Sequence, residues 1–221
     1  MKSHPLYILI PVYNAADYLE EFCTSLFSIL DSLQLPSTTT LLFLDDCSQD
    51  KSVSILQKQC QQVNYNIIIK KNTRNLGHHA NTLSGIMTCN TPSYILTMDA
   101  DFQPSPEILK TFIPFCMQSD SELIIGNFNP HPFGWRRVIS FGYNLYLSLK
   151  TKKNLLPFYG SSLKFFFLNP FLQTQLDKGR IEIHLLNYFK HAIFFEVNES
   201  YLKNYRKSSY FELIKNIITT K

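Results

Sequence analysis

Glycine is scarce, at 7 of 221 residues, and the signatures that glycine clusters carry are missing. There is no G-x-G-x-x-G and no P-loop, so neither a dinucleotide fingerprint nor a phosphate cradle of those kinds is supported. Charge is thin as well. Charged residues make up 17%, below the usual ~25%, which points to extensive burial or to a surface that meets something apolar. The net charge of +4 is too mild for nucleic acid, and no nucleic-acid motif is found; it suits anionic ligands or an anionic membrane face. Cys23, Cys47, Cys60, Cys89 and Cys116 are odd in number, scattered, and hold no C-x-x-C. A reducing, cytoplasmic setting fits them best, with the thiols as small buried apolar groups. The N-terminus lacks the basic head, apolar segment and cleavage site of a signal peptide. Ile8-Leu9-Ile10 is stopped by Pro11, and no run approaches the length of a membrane span.

Apolar residues are plentiful instead. They make up 45% of the chain, and aromatics 14%, with 18 Phe and 12 Tyr. That is enough for a substantial core. Short apolar runs alternate with stretches of helical spacing. Tyr7 to Val12 predicts a strand, and Ala15 to Leu33 a helix with Tyr18, Phe22, Leu26, Ile29 and Leu33 on one side. Leu41 to Leu44 predicts a second strand that ends in Asp45-Asp46. The next helix carries Val53, Leu56, Cys60 and Val63. Ile67 to Ile69 is a third strand, followed by the polar loop Asn72 to Asn81 with its Gly77. A strand from Tyr94, a helix from Ser105 to Met117 and a strand from Leu123 to Gly126 complete this half. Such alternation implies an α/β fold, a mostly parallel sheet flanked by helices.

The stretch with the most chemistry is Tyr94-Ile95-Leu96-Thr97-Met98-Asp99-Ala100-Asp101-Phe102-Gln103-Pro104. An apolar run ends in two carboxylates, and proline forbids its continuation. Asp99 and Asp101 therefore belong at the carboxyl end of a strand, where open α/β sheets bind ligands. Residues at i and i+2 of extended chain share a side. Two hard carboxylates there suit Mg²⁺ or Mn²⁺ beside a diphosphate, and Gln103 can add an amide oxygen. A solvated strand-end turn explains the tripeptide alone equally well.

Beyond residue 130 the pattern loosens. Phe133 to Lys153 predicts an amphipathic helix with Trp135, Arg136 and Arg137 at one end and Lys150, Lys152 and Lys153 at the other. It is either packed on the sheet with a solvated basic face or interfacial. Ser161 to Phe167 and Ile193 to Val197 read as strands, and Arg180 to Lys190 and Ser209 to Ile218 as helices. Glu182 reads as a solvated helix carboxylate. His78 and His79 read as adjacent side chains that point apart, with a minor role at most.

Four pieces in order, Ile10-Pro11-Val12-Tyr13-Asn14, Leu44-Asp45-Asp46-Cys47-Ser48, Arg74-Asn75-Leu76-Gly77 and Met98-Asp99-Ala100-Asp101-Phe102-Gln103, resemble the family 2 glycosyltransferases of GT-A fold. The resemblance implies a single Rossmann-like GT-A domain over 1–221, with a nucleotide-sugar half (1–130) and an acceptor half (131–221). It places Pro11 and Tyr13 beside the base, Leu44 and Asp46 at base and ribose, and Asp99, Ala100 and Asp101 at ribose, diphosphate and metal. Asp101 and Gln103 are then the metal ligands, and Asp99 and Asp101 the residues central to catalysis.

Trp135-Arg136-Arg137-Val138-Ile139-Ser140, Ser161-Ser162-Leu163-Lys164, Glu196-Val197 and Lys207-Ser208-Ser209-Tyr210 resemble the polyprenyl-phosphate branch of that family. The resemblance implies a polyprenyl phosphate acceptor, with Arg136, Arg137, Lys164 and Lys203 on the acceptor or phosphate side. It also implies a cytoplasmic protein at the inner face of an anionic membrane, or beside a membrane partner. The chain departs from that branch at Ala15, where Glu is common, and at Phe128, where Arg is common. It departs again at Ser162, in place of Gly, and at Lys203 and Arg206, in place of Arg and Gly. In-line attack on the anomeric carbon inverts it. A phosphate acceptor is already a nucleophile, whereas a hydroxyl acceptor needs a base such as Glu182. Two alternatives stand beside this reading: a hydroxyl-acceptor transferase for surface polysaccharide, and a non-catalytic nucleotide-sugar binding module.

Overall fold

Alternation of side chains along the strands builds two cores, one on each face of a single sheet. The computed structural model describes residues 4–33, 35–101, 105–128, 160–176 and 181–197, with short pieces at 141–142, 145–146 and 148–149. Strand β1 (Leu6–Val12) is central. Its even-numbered residues, Leu6, Ile8 and Ile10, pack with α1 (Ala16–Asp31) and α4 (Leu109–Gln118). Tyr7 and Leu9 point the other way and pack with α3 (His78–Ile86), α5 (Pro170–Gln175) and α6 (Ile181–Tyr188). Strands covered on both faces must be apolar at every position, and Ile8, Leu9 and Ile10 are all fully buried.

The sheet has seven strands among the described residues, in the order β3-β2-β1-β4-β6-β5-β7. Strands β2 (Thr40–Asp45), β3 (Asn66–Lys71) and β4 (Ser93–Thr97) run parallel with β1. Helix α2 (Ser52–Cys60) connects β2 to β3. Strand β6 (Gly160–Leu168) then inserts antiparallel between β4 and β5 (Leu123–Phe128). Strand β7 (Ile193–Val197) closes the far edge, parallel to β5. The mostly parallel α/β sheet is as expected. The antiparallel insertion, which brings the second half of the chain against the end of β4, is not visible in local periodicity.

Some boundaries differ from expectation for plain reasons. The helix expected from Ser105 opens as a 3₁₀ turn, Pro106–Ile108, before α4 begins. Proline at the first position is tolerated because the backbone donor it lacks would go unused there. Helix α5 has no counterpart among the elements expected from the sequence. It starts where the Asn169 side chain accepts from the Leu172 amide at 2.8 Å, which is ordinary N-capping. The expected helix at 133–153 is described only in its pieces near 141–149, and the expected helix at 209–218 lies outside the described residues.

Candidate active site

The carboxyl ends of β1, β2 and β4 meet at one edge of the sheet, and hydrogen bonds tie the first two together. The Asn14 amide donates to Ser48 Oγ at 2.9 Å, and the Gln49 amide returns a bond to Asn14 Oδ1 at 2.9 Å. The Ala15 amide donates to Ser52 Oγ at 2.8 Å, and the Ala16 amide to Asp50 Oδ2 at 3.0 Å. The Ile-Pro-Val-Tyr-Asn and Asp-Asp-Cys-Ser segments are thus one hydrogen-bonded unit. Tyr13 stands exposed at its rim, and Pro11 is half-buried below it.

Asp46 is buried and holds the loop that leads into α3. Its Oδ1 accepts from Asn72 Nδ2 at 2.9 Å and from the Leu76 amide at 2.8 Å. Its Oδ2 accepts from the Gly77 amide at 2.8 Å. Gly77 has a φ of 82°, a conformation that glycine adopts without a Cβ penalty. The expectation for Leu44 needs correction. Its side chain is fully buried, and a Cβ on Gly85 of α3 would collide with Leu44 Cδ1. Leu44 is a packing contact that lets α3 approach the sheet, and it offers a base no side-chain surface. Asp45 is also fully buried, with Oδ2 accepting from the Ser48 amide at 3.2 Å. That is a turn-forming contact.

At the end of β4 the Asp99 amide donates to Ser162 Oγ at 3.1 Å, and Thr97 Oγ1 donates to the Ser162 carbonyl at 2.6 Å. Ser162, where the resembling branch carries glycine, therefore supplies a hydroxyl that anchors Asp99. Ala100 is buried in the core, while Asp99 and Asp101 are half-buried. Across from them His78 Nδ1 lies 3.7 Å from Asp99 Oδ1. His78 and His79 both line the Asp99 cleft with their rings 5.2 Å apart, edge to face. At the N-terminus of a helix adjacent residues are not forced to opposite sides, so the expectation that they point apart fails.

Lys164 sits on β6 opposite Thr97 of β4. Its ammonium is 3.0 Å from Glu182 Oε1, and the two side chains are only 5% and 15% exposed. Glu182 is therefore not the solvated carboxylate its helix suggested. It lines the same cleft as Pro11, His79, Asp99 and Lys164. Its Oε2 is buried and finds no hydrogen-bond partner among the described residues. Burial pushes the Glu182 carboxyl up, but the charges of Lys164 and His79 outweigh it and hold the group below the ordinary carboxylate range. No signal in the sequence pairs Glu182 with Lys164.

Gln103, Arg136, Arg137 and Lys203 lie outside the described residues. Among the described residues no group of three or more His, Cys, Asp and Glu side chains gathers to hold a metal. The hard oxygens of Asp99 and Asp101 at one strand end fit a divalent cation bound by one or two carboxylates and completed by substrate phosphates. All five cysteines are free, and Cys23, Cys89 and Cys116 are buried. Burial pushes the Cys23 thiol up to about 12, as expected of an inert apolar group.

Comparison with known proteins bears on the family and the fold. The undecaprenyl-phosphate 4-deoxy-4-formamido-L-arabinose transferase of Pseudomonas syringae pv. syringae is 29% identical over 154 residues, which cover 68% of this chain and 45% of the relative. The protein of the same name from Salmonella choleraesuis is 33% identical over 100 residues, 45% of this chain and 30% of the relative. The chain thus spans less than half the length of these curated relatives. Among solved structures, glucosyl-3-phosphoglycerate synthase from Mycobacterium tuberculosis, in complex with Mn²⁺, UDP and phosphoglyceric acid, superposes with a TM-score of 0.68. It is 14% identical, and the match covers 97% of this chain and 75% of that one. S. aureus TarS 1-349 in complex with UDP-GlcNAc gives 0.57 at 15% identity, over 94% of this chain and 60% of that one. These likenesses establish a GT-A-like fold. The family model described as glycosyl transferase family 2 matches residues 7–173, and the chain belongs to that family.

Proposed function

We propose that the protein transfers a sugar, with inversion, from a nucleotide-diphosphate sugar to a polyprenyl phosphate, with Mg²⁺ or Mn²⁺ as cofactor. The observation that carries this reading is that Asp99 and the buried Lys164 line one cleft. The donor's diphosphate belongs beside Asp99 and Asp101, with the base over the Pro11–Tyr13 segment and the ribose toward Asp99. Bound between Asp101, Gln103 and the diphosphate, a divalent cation would offset the charge that develops on the leaving group. Ser162 holds the Asp99 backbone in advance through the 3.1 Å bond from its amide, so less ordering remains when the donor arrives. Lys164, held between β4 and β5, supplies a fixed positive charge on the acceptor side.

The basicity of Glu182 separates the two acceptor classes. A general base works best when its pKa lies near the operating pH, and the Lys164 charge moves Glu182 the other way. A phosphate acceptor needs no base, so this favours the polyprenyl phosphate over a sugar hydroxyl. Supporting the membrane side, Phe141, Leu145, Tyr146 and Leu149 all stand exposed, Leu149 by 73%. Their spacing puts them on one side of a helix, close in sequence to Arg136 and Arg137. Each basic residue near an anionic lipid surface contributes about 1 kcal/mol of attraction. No helix among the described residues is long and apolar enough to cross a membrane.

UDP heads the candidate nucleotides, because the two solved proteins of similar fold are in complex with UDP-GlcNAc and with UDP. The test is a thermal-shift screen of nucleotide diphosphates with and without Mn²⁺, followed by a transfer assay. At ligand concentrations near 100 times Kd the true nucleotide adds about 2.7 kcal/mol of stability. Product is expected with a short-chain polyprenyl phosphate and not with a sugar hydroxyl. The reverse pattern returns the protein to the polysaccharide class. Nucleotide binding without any turnover makes it a binding module.

A further inference from the structure

We infer that Glu182 is a built-in competitor for Lys164, a counter-anion that an acceptor phosphate has to displace. This rests on the reading above that Lys164 faces the acceptor. Three features of the cleft point to it. The grip of Glu182 on Lys164 is one-sided: Oε1 lies 3.0 Å from the ammonium, while the buried Oε2 finds no partner among the described residues. A carboxylate has about four lone-pair sites, so this one is far from saturated, and its hold is of the kind that can be exchanged. The backbone that carries Lys164, by contrast, is fixed. Its strand is hydrogen-bonded on both sides, with Thr97 of β4 and Ile125 of β5 as its register partners.

Glu182 also has somewhere else to go. It lies in the first turn of α6, where the helix N-terminus favours a negative charge. His79 of α3 acts on it electrostatically from the opposite wall and lines the same cleft. The charged groups that act on Glu182 are thus Lys164 from β6 and His79 from α3. A swing from the first toward the second leaves the carboxylate partly compensated and the ammonium open to a stronger anion. A phosphate monoester brings more charge and more oxygens than a carboxylate, so it wins this exchange. A neutral acceptor, with no charge to trade, does not. Glu182 in this role is a specificity-determining residue: it sets a threshold of anionic strength that an acceptor must exceed.

The test is isothermal titration of the full chain with geranyl phosphate, comparing wild type with Glu182→Gln, Glu182→Asp and Lys164→Gln. Gln keeps the size and one acceptor oxygen while removing the charge. Glu182→Gln is expected to bind about tenfold tighter, equal to ~1.4 kcal/mol, and Lys164→Gln to bind more weakly than wild type. Glu182→Asp, which keeps the charge but draws it back from Lys164, is expected to gain about threefold, and it serves if the Gln variant does not fold. UDP binding in the same samples reports whether the donor half is intact. Equal or weaker binding by both Glu182 variants, with Lys164→Gln still weakened, overturns the inference and leaves the acceptor reading standing. Affinity unchanged in Lys164→Gln, or no binding by any form, overturns the acceptor reading and this inference with it.

Discussion

Two carboxylates, the buried Asp46 and the half-buried Glu182, are held in opposite ways. Asp46 accepts three hydrogen bonds from one loop, two of them from backbone amides. Glu182 pairs with the Lys164 ammonium through Oε1, and its Oε2 has no hydrogen-bond partner among the described residues. The donor side is therefore knitted together by many short-range bonds that fix its shape whether or not a ligand is bound. The proposed acceptor side holds one ion pair between elements distant in sequence, with which, on the inference above, a charged ligand can trade. A site that must hold a nucleotide in one pose gains from the first design. A site that must admit an anion and release it gains from the second.

The largest effect is expected where the acceptor side is broken outright. Lys164→Met leaves Glu182 buried without its ammonium, which costs about 3–5 kcal/mol. The double variant Lys164→Met/Glu182→Leu should recover most of that loss, because replacing both partners removes the uncompensated charge. Urea unfolding checks both. The same pair has a pH signature. Glu182 titrates below its unfolded value, which lies near 4.3, so its contribution is fully present above that pH. It fades as the pH falls through the lower folded value. The stability gap between wild type and Glu182→Gln should therefore stay constant from neutral pH down to about 5 and close only in stronger acid. A gap that closes near neutrality would mean that Lys164 does not dominate the carboxylate.

Next in size is Asp101→Asn. Removing one charged oxygen from the end of β4 is expected to lower Mn²⁺-dependent affinity for UDP on the order of 100-fold, with the melting temperature unchanged. Unaltered metal-dependent affinity would remove Asp101 from the site. The smallest of the three sharpens the donor side. Asp46→Ala should cost about 1.5–3 kcal/mol of stability, because the Leu76 and Gly77 amides lose their acceptor. It should also weaken nucleotide binding with or without metal, since the loop it holds leads into the helix that carries His78 and His79. Weakened binding with unchanged stability would mean that Asp46 touches the nucleotide directly and contributes little to the loop.

Much of the donor half can be read along the chain. The apolar runs Tyr7 to Val12 and Tyr94 to Thr97 each became a strand whose carboxyl end lies at the cleft, the first carrying Pro11 inside it and the second followed by Asp99. The approach of α3 was less legible. Leu44 at the end of β2 looks like a residue beside the ligand, yet it packs against Gly85, and only the position of α3 decides between the two. Ser162 shows the same thing from the other direction. In sequence it is a departure from glycine; in the fold it is the acceptor for the Asp99 amide.

By itself the sequence determined the strand-helix alternation, the carboxylates at the strand ends and the polar loop before α3. All three follow from periodicity and from residues that stop a strand, which act over a few neighbours. Only the tertiary structure decided that β6 runs antiparallel between β4 and β5, setting Lys164 opposite Thr97. It also placed the first turn of α6 over that lysine, and the start of α3 beside Asp99. Whether a charged side chain is solvated, paired or poised for exchange depends on its burial and its partners. Both are set by sheet order, which brings distant segments together and leaves no mark on local spacing.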